Sequence, residues 1–222
     1  MNHEDVLRII LRERLVAIIR GVPEDRLDGV VKALIAGGVR ALEFTFDHTR
    51  ADCLAENARK IRSAVERYGN QVVVGCGTAL TPEEVDAAYQ AGARLVISPD
   101  VNAKVIRRTR ELGMVSMPGA LTPTEIVTAW HSGADIVKLF PAGELGIGYI
   151  KAVRAPLSYI PMSAVGGATP ETVNQFLDAG ICGFGVGGQL VPADAVQRGD
   201  YAAIEARARA FTQAIAAWEA AQ

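Results

Sequence analysis

The chain has 222 residues, half of them apolar, and its 23 basic and 25 acidic side chains leave a formal net charge of −2. This length and composition predict a single domain, residues 1–222, with one large core. Because the basic residues are dispersed, nucleic acid and anionic membrane are excluded as expected partners, and a small molecule is favoured.

Residues 1–14 are charged and patterned as an amphipathic helix, and no apolar run approaches the ~20 residues of a membrane span, so an unexported, cytoplasmic protein is predicted. The chain then repeats one unit, in which a helix-periodic stretch ends at a glycine and a short β-rich run follows. Eight such runs are predicted as strands, at 15–19, 40–45, 72–74, 95–97, 114–117, 136–139, 158–162 and 184–186.

Most of these runs are almost continuously apolar, which is typical of parallel strands covered on both faces. Their alternation with helices predicts an α/β fold, a (β/α)8 TIM barrel with an N-terminal helix. An open doubly wound sheet is the competing fold, because strand order is not encoded locally. Threonine-proline pairs at Thr81, Thr122 and Thr169 predict helix starts, and the alanine-rich segment 201–222 predicts the closing helix.

Lys138 stands among apolar residues in the sixth predicted strand. Burial disfavours the ammonium form and lowers the pKa of a lysine towards the neutral amine, which can form a Schiff base. A lysine that reaches water, or one that pairs with Asp135, is the alternative interpretation.

Alternate residues of a barrel strand point inward, and the carboxyl ends of the strands carry the chemistry. Glu43 and Thr45 share the inward face of the second strand, Arg20 ends the first strand and Thr78 follows the third. We predict that Glu43 moves protons for an imine on Lys138 and that Arg20 binds a substrate carboxylate. A structural Lys138–Glu43 ion pair and a surface salt bridge of Arg20 are the alternatives.

Two glycine pairs, Gly166-Gly167 and Gly187-Gly188, end the last two predicted strands. Backbone N–H groups after strands seven and eight of a barrel can bind phosphate, so these pairs predict a phosphate site rather than ordinary tight turns.

Seven segments, taken in order, resemble the family of 2-keto-3-deoxy-6-phosphogluconate, 2-keto-3-deoxy-6-phosphogalactonate and 4-hydroxy-2-oxoglutarate aldolases. They are Leu15-Val-Ala-Ile-Ile-Arg-Gly21, Ala36-Gly-Gly-Val-Arg-Ala-Leu-Glu43, Val74-Gly-Cys-Gly-Thr78, Ile97-Ser-Pro99, Met117-Pro-Gly119, Val137-Lys-Leu-Phe-Pro-Ala142 and Val165-Gly-Gly167. The resemblance implies a class I lyase on a (β/α)8 barrel, without metal or cofactor. It also implies a homotrimer that cleaves a 2-keto-3-deoxy sugar acid, bearing a 6-phosphate, to pyruvate and an aldehyde such as glyceraldehyde 3-phosphate.

The resemblance further implies a role for individual residues. It assigns the Schiff base to Lys138, proton transfer to Glu43 and carboxylate recognition to Arg20 and Thr78. Thr45, Pro99 and Phe140 would complete the substrate pocket. The phosphate would be bound by Gly166, Gly167, Gly187 and Gly188.

The chain departs from the family pattern after the second and eighth strands. Asp47 and His48 stand where many members carry an arginine, and Gln189 stands where members often carry a serine. We interpret Asp47 and His48 as rim residues that contact substrate. The pair Ala164-Val165 is closer to the phosphogalactonate branch, while 4-hydroxy-2-oxoglutarate and unphosphorylated keto acids stay open as substrates.

Three further functions stay open at this point. A phosphosugar isomerase or epimerase could use Glu43 as base on the same fold, and a noncatalytic barrel could bind phosphosugars. A metal-dependent aldolase would use Glu43, Asp47 and His48. The three cysteines and three histidines have no metal-ligand spacing, so no metal site is predicted.

Overall fold

The computed structural model describes residues Met1–Gln222, which form one nine-stranded parallel sheet with helices outside it. The strands are β1 (Leu15–Ile19), β2 (Ala41–Thr45), β3 (Val73–Gly77), β4 (Leu95–Ile97), β5 (Val115–Met117), β6 (Gly119–Ala120), β7 (Val137–Leu139), β8 (Met162–Val165) and β9 (Gly183–Val186). The helices are α1 (His3–Glu13), α2 (Glu24–Ala36), α3 (Cys53–Tyr68), α4 (Pro82–Gln90), α5 (Ala103–Glu111), α6 (Pro123–His131), α7 (Ala142–Arg154), α8 (Val173–Asp178), α9 (Ala193–Arg198) and α10 (Tyr201–Ala220).

The barrel closes through the segment that contains β5 and β6. These strands lie at opposite ends of the sheet, in the order β5-β4-β3-β2-β1-β9-β8-β7-β6, although only Pro118 separates them in the chain. Proline cannot donate a ladder hydrogen bond, but its carbonyl accepts one from the Lys138 N–H at 2.9 Å. β5 and β6 are therefore two halves of one bent strand, and the predicted eight-stranded TIM barrel is confirmed.

Helix α1 covers the end of the barrel opposite the carboxyl ends of the strands. Its buried Val6 and Ile10 pack with inward-facing strand residues such as Val16 and Ile136. Asp135 anchors the helix, since its Oδ1 lies 3.0 Å from His3 Nε2. The predicted N-terminal helix is thus a plug that leaves only the other mouth of the barrel open.

Most predicted strands differ from the observed ones by one to three residues at an end, and two predicted elements differ more. The predicted strand 158–162 is a turn in which Ile160 N–H donates to the Leu157 carbonyl, and β8 begins only at Met162. The Thr169 signal precedes a turn, and α8 begins at Val173. The signals at Thr81 and Thr122 are confirmed, because each forms a reciprocal capping box with the glutamate three residues later.

A helix with the length and apolarity of a membrane span is absent from the structure.

Candidate active site

A cavity of about 510 Å³ opens at the carboxyl ends of the strands. We call it the Lys138 cavity, after the lysine in its wall. Most of the predicted site residues line it: Arg20, Thr78, Pro99, Lys138, Phe140, Gly166, Gly187 and Gly188. Residues far apart in the sequence thus converge on one opening.

Lys138 is buried in the cavity wall, with 6% of its surface exposed. Its Nζ lies 5.0 Å from the centre of the Phe140 ring, and no hydrogen bond or ion pair holds it. Asp135, the alternative partner, pairs instead with Arg110 at 2.7 Å. Burial lowers the pKa of Lys138, and the nearby Glu43 opposes this only in part. The neutral, nucleophilic form of this lysine is therefore more accessible than that of a lysine in water.

Glu43 projects into the barrel interior beside the Lys138 cavity and is 1% exposed. Burial raises the pKa of its carboxyl group, while the charges of Lys138 and Arg20 oppose the shift. The two side chains form no ion pair within 4.0 Å, so the structural ion pair considered above is absent. A carboxyl group with a raised pKa is protonated more readily than an exposed glutamate, and it can then donate a proton to an intermediate on the lysine.

Gly77 has no side chain, and the Glu43 carboxyl group occupies the space where a side chain at this position would lie. A Cβ at this glycine would lie 1.8 Å from Glu43 Oε1, closer than any real contact allows. The neighbouring strands β2 and β3 pair in register here, with Thr45 opposite Gly77. The missing side chain on β3 therefore determines where the carboxyl group on β2 can lie.

Gly77→Ala should accordingly displace the Glu43 carboxyl group and lower kcat by roughly tenfold to a hundredfold, because small misplacements of catalytic groups are costly. Steady-state kinetics on the 2-keto-3-deoxy sugar acid that the resemblance implies would measure this. Gly148→Ala is the matched control, since a Cβ there meets nothing within 4 Å. A Gly77→Ala enzyme with wild-type kcat would contradict the assigned position of Glu43.

Arg20 and Thr78 lie at the rim with features that suit ligand binding. Arg20 is exposed and forms no ion pair, so the surface salt bridge considered above is absent and the guanidinium can bind a carboxylate in two-point fashion. Thr78 has a φ of 57°, which is unusual for a β-branched residue and marks a backbone held in place by its surroundings.

The two glycine loops present unpaired backbone donors. The N–H groups of Gly166, Gly167, Gly187 and Gly188 donate no hydrogen bond within the chain. Gly166 and Gly167 have φ values of 89° and 81°, which exclude most side chains. Gly167 faces Gly143 of α7, because its Cβ would lie 2.5 Å from the Gly143 Cα, so only the other three glycines line the cavity.

Thr45 and Asp47 line a different cavity, of about 280 Å³, between the ends of β1 and β2, the segment before α2, and helix α3. We call this the second cavity, and Phe44, Arg50, Asn57 and Lys60 also line it. The Asp47 carboxylate accepts a hydrogen bond of 2.6 Å from the Thr49 hydroxyl.

His48 also lies away from the Lys138 cavity. Its Nε2 lies 2.7 Å from Oε1 of Glu84, whose other oxygen accepts from backbone N–H groups at the start of α4. Glu43, Asp47 and His48 therefore do not converge as metal ligands. Asp47 and His48 therefore do not line the Lys138 cavity, and their contact with substrate stays a prediction.

Sequence reasoning missed several residues of the site. The apolar wall of the Lys138 cavity includes Ile18, Val165 and Val191. Ile18 was signalled by its inward parity, which it shares with Arg20 just after β1. Val191 lies in the connection between β9 and α9, where no periodic pattern predicts the direction of a side chain. Gly77 was signalled by its place two residues after Gly75 on the strand that pairs with β2.

Known proteins resemble this chain in both sequence and fold. Residues 6–207 match the family described as KDPG and KHG aldolase. The 2-dehydro-3-deoxy-6-phosphogalactonate aldolase of Escherichia coli (strain K12) is 39% identical over 180 residues, which cover 81% of this chain and 85% of that protein. The KHG/KDPG aldolase of the same strain is 33% identical over 184 residues, covering 81% and 82%. A solved native KDPGal structure superimposes with a TM-score of 0.83 at 37% identity, covering 93% of this chain and 96% of that one.

Proposed function

Because the chain belongs to the KDPG and KHG aldolase family and is therefore an aldolase, we propose that Lys138 forms the Schiff base and that Glu43 transfers the protons. The reaction is the reversible cleavage of a 2-keto-3-deoxy sugar acid to pyruvate and an aldehyde. The observation that carries the proposal is the burial of Lys138 in a cavity wall with no hydrogen-bond partner, beside a buried carboxyl group. An isomerase or a noncatalytic barrel would need no such amine.

The steps follow from the chemistry of the two side chains. The neutral Lys138 amine attacks the C2 ketone, and the resulting carbinolamine loses water to become an iminium ion. Removal of the proton from the C4 hydroxyl then breaks the C3–C4 bond, which releases the aldehyde and places the bonding electrons in an enamine. Protonation of the enamine at C3 and hydrolysis of the imine release pyruvate and regenerate the amine. Glu43 donates or accepts the proton at each of these stages.

Arg20 and the glycine loops would hold the two ends of the substrate. The Arg20 guanidinium, which has no partner in the chain, suits the C1 carboxylate. The free N–H groups of Gly166, Gly187 and Gly188 suit a terminal phosphate. Since no basic side chain except Arg20 and Lys138 lines the cavity, backbone dipoles would bind the phosphate without a paired cation.

A substrate panel tests this assignment. The panel should contain 2-keto-3-deoxy-6-phosphogalactonate, its phosphogluconate epimer, both unphosphorylated acids and 4-hydroxy-2-oxoglutarate, compared by kcat/KM. We expect the phosphogalactonate to rank first, since the chain is 39% identical to the phosphogalactonate aldolase of Escherichia coli and 33% identical to the KHG/KDPG aldolase of the same strain. A higher kcat/KM for an unphosphorylated acid than for both phosphorylated acids would contradict the phosphate site. Cleavage of any substrate in the panel would still support the Schiff-base chemistry.

The pH dependence of kcat/KM should be bell-shaped. Neutral Lys138 becomes more abundant as the pH rises through its pKa, which burial lowers, and protonated Glu43 is lost as the pH rises through its pKa, which burial raises. Both limbs should therefore fall between the ordinary values of about 4.3 for a glutamate and about 10.4 for a lysine. An inflection at the ordinary lysine value would contradict a desolvated nucleophile.

We also propose that the chain assembles as a homotrimer. Apolar side chains such as Leu80, Leu121 and Tyr159 are exposed on the isolated chain and supply surface for subunit contacts. Light scattering after size-exclusion chromatography should give three times the chain mass of 23.6 kDa. The mass of a single chain would contradict the proposal.

A further inference from the structure

Phe140 presents the face of its ring to the Lys138 amine. Lys138 Nζ lies over this face, 5.0 Å from the centre of the ring. Lys138 is in β7 and Phe140 follows the strand directly, so the two side chains, two residues apart, point to the same side of the backbone. Phe140 is the one aromatic residue among those that line the Lys138 cavity. The strand therefore places an aromatic face beside the nitrogen at which the chemistry occurs.

The Schiff-base reaction creates a positive charge at this nitrogen. The amine adds to the ketone, and the carbinolamine then takes up one proton and loses water, which leaves a cationic C=N bond at Nζ. The surroundings disfavour that charge: burial lowers the pKa of Lys138, and the charge of Arg20 acts in the same direction. None of the residues that line the cavity is acidic, and Glu43 forms no ion pair with the lysine. The iminium ion thus needs stabilisation that a salt bridge does not supply.

An aromatic face can supply this stabilisation. The face of a phenyl ring is electron-rich and attracts a cation that lies within about 6 Å of its centre, most strongly where water is excluded. The Lys138 side chain meets the second condition, since it is 6% exposed, although Phe140 itself is 41% exposed. A neutral amine and a neutral ketone gain little from the ring. The attraction therefore acts on the cationic intermediate more than on the reactants, which is the condition for catalysis.

From this geometry we propose that Phe140 is a catalytic residue, whose ring stabilises the cationic iminium ion on Lys138 through a cation–π interaction. The inference rests on the proposed Schiff-base function and assigns the ring an electrostatic role in place of a passive part of the pocket wall. This role depends on the electron density of the ring face and not on the volume of the side chain. An apolar side chain of similar size should therefore fail to replace it.

Stepwise fluorination of the ring tests the proposal. Phe140 is replaced by 4-fluoro-, 3,5-difluoro- and 3,4,5-trifluorophenylalanine, which nearly keep its shape while each fluorine withdraws electron density from the ring face. The probe is pyruvate, whose methyl-proton exchange with deuterated solvent is followed by NMR at a pH where Lys138 is neutral. We expect kcat/KM for the exchange to fall with each fluorine, by about twofold to thirtyfold over the series. Trifluorophenylalanine at Phe211, which is buried in α10 and does not line the cavity, is the control and should exchange as wild type.

The pH dependence of the fluorine effect separates an electrostatic role from a packing role. At a pH where the free enzyme carries the Lys138 ammonium, the ring stabilises that cation as well as the iminium ion, so the effect of fluorine on kcat/KM should disappear. Glu43 and Arg20, the charged groups that act on Lys138, are the same in every variant. A change in packing would alter kcat/KM equally at both pH values. A fluorine effect that does not depend on pH would therefore overturn the proposal.

Two ordinary variants and one trapping experiment complete the test. Phe140→Tyr keeps the aromatic face and should exchange pyruvate protons close to the wild-type rate, whereas Phe140→Leu keeps an apolar side chain without that face and should lose at least as much kcat/KM as the trifluorinated protein. Absence of a borohydride-reduced pyruvate adduct on wild-type Lys138 would overturn the proposed function and this inference with it. A wild-type adduct together with equal exchange across the fluorinated series would overturn this inference alone.

Discussion

Lys138→Met is expected to abolish aldol cleavage, with a fall in kcat/KM of at least about four orders of magnitude, because no other amine lies in the cavity wall to form the imine. Borohydride reduction in the presence of pyruvate should add a reduced pyruvyl group to the peptide that contains Lys138 of the wild type and not to the variant. Lys151→Met, which removes an exposed lysine of α7, is the control and should still give the adduct. Trapping of pyruvate on another lysine would refute the assignment.

The same variant should unfold at a higher temperature near neutral pH. The pKa of Lys138 is lower in the folded state, so below that folded value both states carry the ammonium and the folded state bears the whole desolvation cost. This cost decreases as the pH rises above the folded-state pKa, and it is zero above the pKa of the lysine in the unfolded chain, about 10.4. Methionine carries no charge and removes this desolvation cost. The melting temperature of Lys138→Met should therefore exceed that of the wild type most at low pH. Loss of a structural ion pair would instead destabilise the fold by about 3–5 kcal/mol.

Glu43→Gln should lower kcat by roughly two to four orders of magnitude while Lys138 stays in place, because an amide keeps the shape of the side chain but cannot shuttle a proton. The direct measurement is exchange of the pyruvate methyl protons with deuterated solvent, followed by NMR. This exchange requires enamine formation and reprotonation, so it should slow to a similar degree as kcat.

Glu84→Gln provides the control for that experiment. Glu84 is also a buried carboxylate, but it caps α4 and contacts His48 outside the Lys138 cavity. Its replacement should lower the melting temperature and leave the methyl exchange intact. Wild-type exchange in Glu43→Gln would remove Glu43 from the proton transfers.

The alternation of helices and strands, and the anomaly of a lysine in an apolar strand, were predictable because they are local patterns. Side-chain parity along a strand depends only on the backbone repeat, which is why Arg20, Glu43 and Lys138 were placed on inward faces before the fold was known. The helix ends marked by glycine were also predictable from local sequence, since a glycine allows a left-handed backbone conformation at its own position.

The tertiary structure alone decided how the barrel closes and which loop residues face the Lys138 cavity. The barrel closes at Pro118 because the N–H groups of Asp135, Ile136 and Lys138 donate to carbonyl groups of Ser116 and Pro118. These partners are far apart in the sequence, so no local pattern predicts the bonds between them. His48 turns away because Glu84, 36 residues later, accepts its hydrogen bond, and Gly77 matters because it faces a carboxyl group on another strand. Periodicity determines the direction of a side chain within an element, whereas a residue in a loop takes its direction from contacts that exist only after the chain has folded.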